Sequence, residues 1–340
     1  MAPMIFKLKP LDDCIAIHYS QASIHAHWMF DSRPDKDSWP RRFSSYEAVH
    51  SRMARVRDSF VRVIEDLGLQ YHFVSYEQIE RGDLLKEGHK VLLLPQSVAM
   101  SKKECEQIEA FVRAGGTVIA DNMAATMDEH CKRLPKGQLD ELFGIARQGS
   151  EAGGQGPAKG LKWKGKTLDL EVAESVGLTT GKAQADGNGV PCIVVNRVGK
   201  GQAIYLNFLM LSYGKLRLTP PKEQPVREVF GALLKQAGIA PPVKVLYADT
   251  PAYVPGVRIW RYRGAGADYV AIMRNPEFRA SELGEIGYGN NTAFEKIERV
   301  QVIFPKKKHI QDVREGKSLG TTDRVTVVLD PWSPKILELR

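Results

Sequence analysis

The chain has 340 residues, of which 43% are hydrophobic and 26% charged, a folded-domain composition that excludes wholesale disorder. Its net charge of +8 is dispersed, with Arg52, Arg55, Arg57 and Arg62 along one predicted helix and one compact run at 306–309 (KKKH). Without interleaved aromatics or a nucleic-acid motif this reads as solvated surface, and no nucleic-acid partner is expected.

Residues 14–19 (CIAIHY) form a short apolar run followed by polar residues 20–23, the pattern of a buried first strand ending in a loop. Pro34, Pro40 and many charges across 31–42 indicate an exposed excursion. Val49, Met53, Val56, Phe60, Val63 and Leu67 then recur at steps of three and four, predicting an amphipathic helix stopped by Gly68. Residues 70–76 (QYHFVSY) read as a second strand, and 90–95 (KVLLLP) as a third, covered on both faces. Ser101 and Glu104 have the spacing of a capping box, Ile108, Phe111 and Val112 supply the apolar face of that helix, and Gly115 and Gly116 are expected to end it in the left-handed region. Residues 117–120 (TVIA) follow as a fourth strand. Residues 139–144 predict one helical turn, 148–160 are Gly-rich and read as a flexible surface loop, and 161–200 alternate weakly as short antiparallel strands. The last strand is 202–208 (QAIYLNF), and 226–237 is the closing helix.

This alternation predicts an α/β fold with a doubly wound, mainly parallel, flavodoxin-like sheet over 1–242, carrying a β insertion at about 148–200. Pro241 and Pro242 mark a boundary. Five short β-type runs, at 258–263, 269–274, 300–304, 325–330 and 335–339, predict a small antiparallel β-domain over 243–340, with 280–286 ambiguous. Cys14, Cys105, Cys131 and Cys192 lack C-x-x-C spacing, so neither a zinc site nor a disulfide framework is indicated. Residues 1–10 lack the apolar core of a signal peptide and no run of about 18 apolar residues exists, so a cytoplasmic location without membrane contact is expected.

From residue 90 to 144 the order K-V-L-L-L-P, a helix, A-G-G-T-V-I-A and L-D-E-L-F-G, with VGKGQAIYLNF at 198–208, resembles the middle, trimerisation domain of glycoside hydrolase family 42 β-galactosidases. That resemblance implies a class I glutamine-amidotransferase fold followed by a β-domain, a homo-oligomer with a trimer favoured, and catalytic glutamates housed in a preceding (β/α)₈ barrel. Such a barrel needs about 250 residues, whereas the α/β pattern here starts at residue 14, so no residue takes the roles of family acid and nucleophile. Where amidotransferases carry cysteine after the fourth strand and histidine and glutamate after the last, this chain has Ala120, Asp121 and Asn122, then Asn207, Phe208 and Leu209. Cys105 and Cys131 fall elsewhere.

Ligands of open α/β sheets bind beyond the carboxyl ends of the strands. That rule selects Ser20, Gln21, Ser23, Gln96, Asp121, Asn122 and Asn207, with Ser97 and Tyr19 beside them, as candidate pocket residues able to hydrogen-bond sugar hydroxyls, and Trp28 or Trp39 to stack on a sugar. The bland reading is that they cap helices and satisfy loop backbone. His25 and His27, with His18 and Asp31 nearby, are the metal candidates, since i and i+2 side chains on an extended segment point the same way. No third ligand is fixed by spacing, and neither metal nor cofactor is expected. Asp128, Glu129 and His130 read as helix-end polarity. Two functions follow: a non-catalytic module for oligomerisation or support of a carbohydrate-active partner, and, as the alternative, a carbohydrate-active hydrolase working around Ser20, Gln96 and Asp121.

Overall fold

The computed structural model describes residues 7–32, 51–147, 158–172, 176–187, 189–211, 213–217, 221–274 and 296–340. Residues 33–42 of the charged excursion with Trp39, most of the Gly-rich loop, and 280–286 lie outside the described residues.

A nine-stranded sheet forms the body of the first part, in the order β3 (His72–Ser75), β2 (Ile15–Tyr19), β4 (Val91–Leu94), β5 (Thr117–Ala120), β12 (Gly201–Leu206), β11 (Val190–Val198), β10 (Lys182–Gly187), β7 (Ala158–Trp163) and β8 (Lys166–Val172). The strands from β3 to β12 are mutually parallel, and those from β12 to β8 antiparallel, so the sheet is mixed rather than mainly parallel. The cause is local: the 199–200 turn sends the chain from β11 straight back into β12 as a hairpin, and a hairpin imposes antiparallel pairing. β6 (Ile145–Arg147) and β9 (Val176–Leu178) pair separately.

Alternation along the parallel strands decides which side chain meets which helix. Ile15, Ile17, Val91, Leu93 and Ile119 face one core, shared with Val56, Phe60 and Val63 and with Val229, Phe230 and Leu233. Ala16, Leu92, Leu94, Val118 and Ala120 face a second core with Ile108, Phe111 and Val112. The helices, in chain order, are α1 (Gln21–Ser32), α2 (Arg52–Asp66), α3 (Tyr76–Glu80), α4 (Asp83–Lys86), α5 (Lys102–Ala114), α6 (Asp140–Phe143), α7 (Tyr213–Leu216) and α8 (Gln224–Gln236). Three departures from expectation matter here. Residues 21–23 open helix α1 instead of forming a loop, with Ser20 just before it and the Ile24 N–H donating to the Ser20 carbonyl at 3.1 Å. The short helices α3 and α4 carry too few residues for a periodic signal. At the end of α5 only Gly115 has a positive φ, +125°; Gly116 is required because a Cβ there would lie 2.4 Å from the Phe111 ring.

The V-G-K-G-Q turn has a packing cause. A Cβ on Gly201 would sit 2.2 Å from the carbonyl oxygens of Val112 and Gly116, and Lys200 N–H donates to the Arg113 carbonyl at 3.0 Å. The two glycines therefore let the β11–β12 hairpin rest on the end of α5.

The second sheet is antiparallel, with β1 (Lys9–Pro10), β14 (Val257–Arg263), β15 (Asp268–Arg274), β18 (Lys335–Leu339), β16 (Glu298–Asp312) and β13 (Lys244–Tyr247) in that order, and β17 (Lys317–Leu329) against β16. β16 pairs with β13 through Val300 to Ile303 and with β18 through Ile310 to Asp312. Between these, Ile303 opposes Arg324 and Lys308 opposes Thr322, so the register is broken where Lys306 and Lys307 lie exposed. Val245, Ile259, Val270, Ile272, Val302 and Leu337 belong to its core.

Ionic contacts join the two sheets. Arg258 pairs with Glu65 at 2.6 Å, Arg261 pairs with Asp13, and Gln70 links both sides through its own N–H to Asp13 and its side-chain oxygen to the Arg261 N–H. Behind them Asp66 is fully buried and accepts from Arg217 at 2.6 and 2.9 Å and from the Tyr213 hydroxyl at 2.9 Å. Removing one member of such a pair strands the other charge, so Asp66→Ala is expected to lose about 3–5 kcal/mol of unfolding free energy in urea titrations. Adding Arg217→Met to that variant should restore part of the loss; strict additivity of the two substitutions would contradict the pairing.

Candidate functional site

The carboxyl ends of the parallel strands bring most of the selected residues together. Ser20 precedes α1 and Ser23 sits on its first turn, and both hydroxyls donate to the Ala99 carbonyl at 3.0 Å. The Ser23 oxygen accepts in return from the Ala99 N–H at 3.0 Å, and the Ser20 oxygen from the Ser23 N–H at 3.0 Å. These bonds tie α1 to the segment that follows β4. Gln21 stands apart, exposed, its amide against His25 at 3.1 Å.

Across the next strand end, the Gln96 N–H donates to Asp121 Oδ1 at 2.9 Å and its amide nitrogen to Asn122 Oδ1 at 3.0 Å. Gln96 takes φ +47°, a left-handed conformation that a non-glycine residue holds at a cost of about 1–3 kcal/mol. The bonds to Asp121 and Asn122 hold it there. Asn207 turns toward the antiparallel half of the sheet, its amide donating to the Pro191 carbonyl at 2.9 Å.

An apolar cluster covers this polar layer: Ala26, Val98, Ala99, Met123 and Met127, with Ala22, Phe30 and Cys131 against it. As a result Ser20, Ser23, Gln96, Ser97 and Asp121 are each at most 1% exposed. Burial pushes the Asp121 carboxyl up to about 8, against the opposing hydrogen bonds from Gln96. At neutral pH it is mostly a neutral acid, and among the described residues its Oδ2 has no hydrogen-bond partner.

One grouping escaped the sequence reading. His18 Nδ1 lies 2.9 Å from Ser97 Oγ and its Nε2 lies 3.0 Å from Glu104 Oε1, a serine–histidine–carboxylate line. Glu104 is also the capping-box acid of α5: its Oε2 accepts from the Ser101 N–H at 2.6 Å, while Ser101 Oγ donates to Glu80 at 2.6 Å. The Ser101/Glu104 spacing revealed the cap, but nothing in the sequence pairs Glu104 with a histidine 86 residues away. With the serine sealed from solvent and the acid engaged in helix capping, the line joins β2 to the start of α5.

The metal reading loses its premise, because His25 and His27 lie on helix α1, where positions i and i+2 diverge. His25 is exposed and His27 buried against Phe30, ring centroids 5.6 Å apart. Among the described residues no group of three His, Cys, Asp or Glu could hold a metal ion. Burial, reinforced by the charge of Arg52, lowers the His27 imidazole to about 4, with the Gln96 backbone opposing. The Cys105 thiol is pushed far up by burial and by Glu104, and the Cys131 thiol is also raised by burial, so neither is poised as a thiolate. Trp28 is partly exposed on α1.

The sequence profile of the β-galactosidase trimerisation domain of glycoside hydrolase family 42 matches residues 16–240. This chain belongs to that family. Among solved structures, the trimerisation-domain chain is similar to a catalytic mutant of Gan42B, a family 42 β-galactosidase from G. stearothermophilus, at 18% identity and TM-score 0.64, over 98% of this chain and 41% of that one. It is likewise similar to a β-galactosidase from Bacillus circulans sp. alkalophilus (17%, TM-score 0.63, 98% and 42%) and to α-L-fucosidase isoenzyme 2 from Paenibacillus thiaminolyticus (14%, TM-score 0.56, 97% and 49%). Identities this low establish the shared fold alone, and the chain spans less than half the length of these neighbours. No curated protein matches. Among the described residues no helix is long and apolar enough to cross a membrane.

The two perturbed groups give opposite pH dependences. Asp121 keeps its proton in the folded state up to about 8 but loses it near 3.8 when unfolded, so its contribution to stability declines as pH rises across that window. Asp121→Asn, which mimics the neutral acid, should therefore gain on the parent in urea titrations at pH 8 relative to pH 5; an equal difference at both would contradict a neutral Asp121. His27 acts the other way, its stabilisation being lost as pH falls from 6.5 through about 4. In His27→Phe the fall in melting temperature between pH 7 and pH 4 should be smaller than in the parent.

Proposed function

We propose that this chain is a non-catalytic assembly module, a degenerate amidotransferase-like α/β unit with an antiparallel β unit after residue 242, which joins copies of itself or supports a carbohydrate-active partner. The observation carrying this reading is the closure of the strand ends. Where an α/β sheet of this kind would bind a ligand, the polar side chains bond one another and the backbone, and an apolar cluster lies over them. The order β3–β2–β4–β5–β12 in the parallel half, with helices on both faces, supports the amidotransferase-type assignment. Ala120, Asp121 and Asn122 stand where the nucleophile would be, all buried.

An assembly role also fits the surface near the free edge of the large sheet. Tyr19 and Phe73, 6.5 Å apart edge to face, are each partly exposed, and Tyr76, Trp28 and Met29 expose apolar area as well. In a closed ring of three, two different patches of each copy meet.

The mass of the purified chain, from light scattering after size exclusion, tests the reading. A concentration-independent trimer of three times 37.9 kDa is expected, with no turnover of glycosides. A strict monomer at all concentrations, or glycoside hydrolysis lost on Asp121→Ala, would contradict it.

A further inference from the structure

The two sheets do not close completely on each other. Beside the end of α2, α8 and strands β13 and β14 lies a cavity of about 200 Å³, walled by Leu67, Val243, Val245, Val257 and Ile259. An apolar protein cavity of about 150 Å³ is large enough to admit benzene. The space here therefore suits a body of about six or seven carbons.

One wall carries a charge. Arg227 lines the cavity, its guanidinium 3.6 Å from the centre of the Tyr253 ring. Among the described residues its Nε is buried without a hydrogen-bond partner. Asp66 lines the cavity as well, and the charge of Arg227 acts on the carboxyls of Glu223 and Glu228, but each of these acids is engaged elsewhere or muted by burial. Asp66 accepts from Arg217 and Tyr213, Glu228 pairs with Lys166, and the Glu223 carboxyl is raised by burial. Lys244, also in the lining, adds a second positive charge from its exposed position.

A guanidinium held by an aromatic face with a buried Nε–H lacking an acceptor has a donor to spare, and planar donors of this kind match a carboxylate. We propose that this cavity binds a small organic monoanion, a carboxylate on a ring or short chain of about six carbons, with the carboxylate on Arg227 and the carbon body against the aliphatic wall. A phosphate fits less well, because its hydration shell would have to be stripped against an apolar lining. The proposal is independent of the assembly role.

Titration calorimetry of the whole chain with benzoate and hexanoate, and with benzyl alcohol and 1-hexanol as neutral counterparts, tests it. Saturable one-to-one binding of at least one carboxylate is expected, with Kd on the order of millimolar for so few atoms, and about tenfold weaker binding of its alcohol. Arg227→Met should weaken carboxylate binding at least about tenfold, and Val257→Phe, which fills the space, should abolish it. Absence of saturation with both acids, equal affinity for acid and alcohol, or unchanged binding in a folded Arg227→Met or Val257→Phe protein would overturn the proposal. If neither variant folds, the acid and alcohol titrations of the unaltered chain decide.

Discussion

The fully buried carboxylate of Asp66 is the contact on which the arrangement of this molecule turns. It ends helix α2, and it receives hydrogen bonds from Arg217 and Tyr213, both buried beyond the last strand of the large sheet. Taking two charges out of water costs several kcal/mol per ion, so the pair is tolerated only with its hydrogen bonds made. The tyrosines nearest it register its charge: the phenols of Tyr213 and Tyr253 are held well above the usual range, first by burial and then by Asp66. Tyr253 belongs to the approach to β14, so this carboxylate acts electrostatically on both sheets. Around it, Glu65 with Arg258 and Asp13 with Arg261 complete a polar seam. A seam of this kind depends on geometry, because each donor must find its acceptor, whereas an apolar interface would tolerate sliding. The aliphatic cavity lies beside that seam.

At the other side of the large sheet the physics is inverted. Strand ends in α/β proteins are where backbone groups lose their ladder partners, and ligands exploit them. Here the chain supplies the partners itself: serine hydroxyls from α1 reach the Ala99 carbonyl, and Asp121 holds the strained Gln96. Once methionine and alanine side chains cover that layer, the carboxyl cannot stay ionised at low cost, which is why Asp121 is pushed upward. The same residue types that make a binding site in an open cleft make a structural layer in a closed one.

In a fold shared with parts of much longer proteins at 14 to 18% identity, the demands of packing are visible at particular residues. The glycines of the β11–β12 turn are an example, since a methyl group on Gly201 would strike two backbone carbonyls.

Much of the fold was legible in the residues, for local reasons. The 3.6-residue stripe from Met53 to Val63, the uninterrupted run of β4, the Ser101/Glu104 capping box and the β-type runs after residue 257 each depend on near neighbours, and each appears close to its expected place. The seven strand-end positions were selected by a general rule of α/β sheets, and the structure brings Ser20, Ser23, Gln96, Asp121 and Asn122 into one layer while leaving Gln21 on the surface. What sequence could not decide depends on distant pairs. Whether 21–32 is helix or loop, whether the strand ends are open or sealed, that His18 meets Glu104 across 86 residues, and that Asp66 meets Arg217 across 151 are settled only when the sheet is assembled. Local patterning states which side chains want to be buried; only tertiary packing determines which partners they find there, and so whether a polar side chain awaits a ligand or is already satisfied.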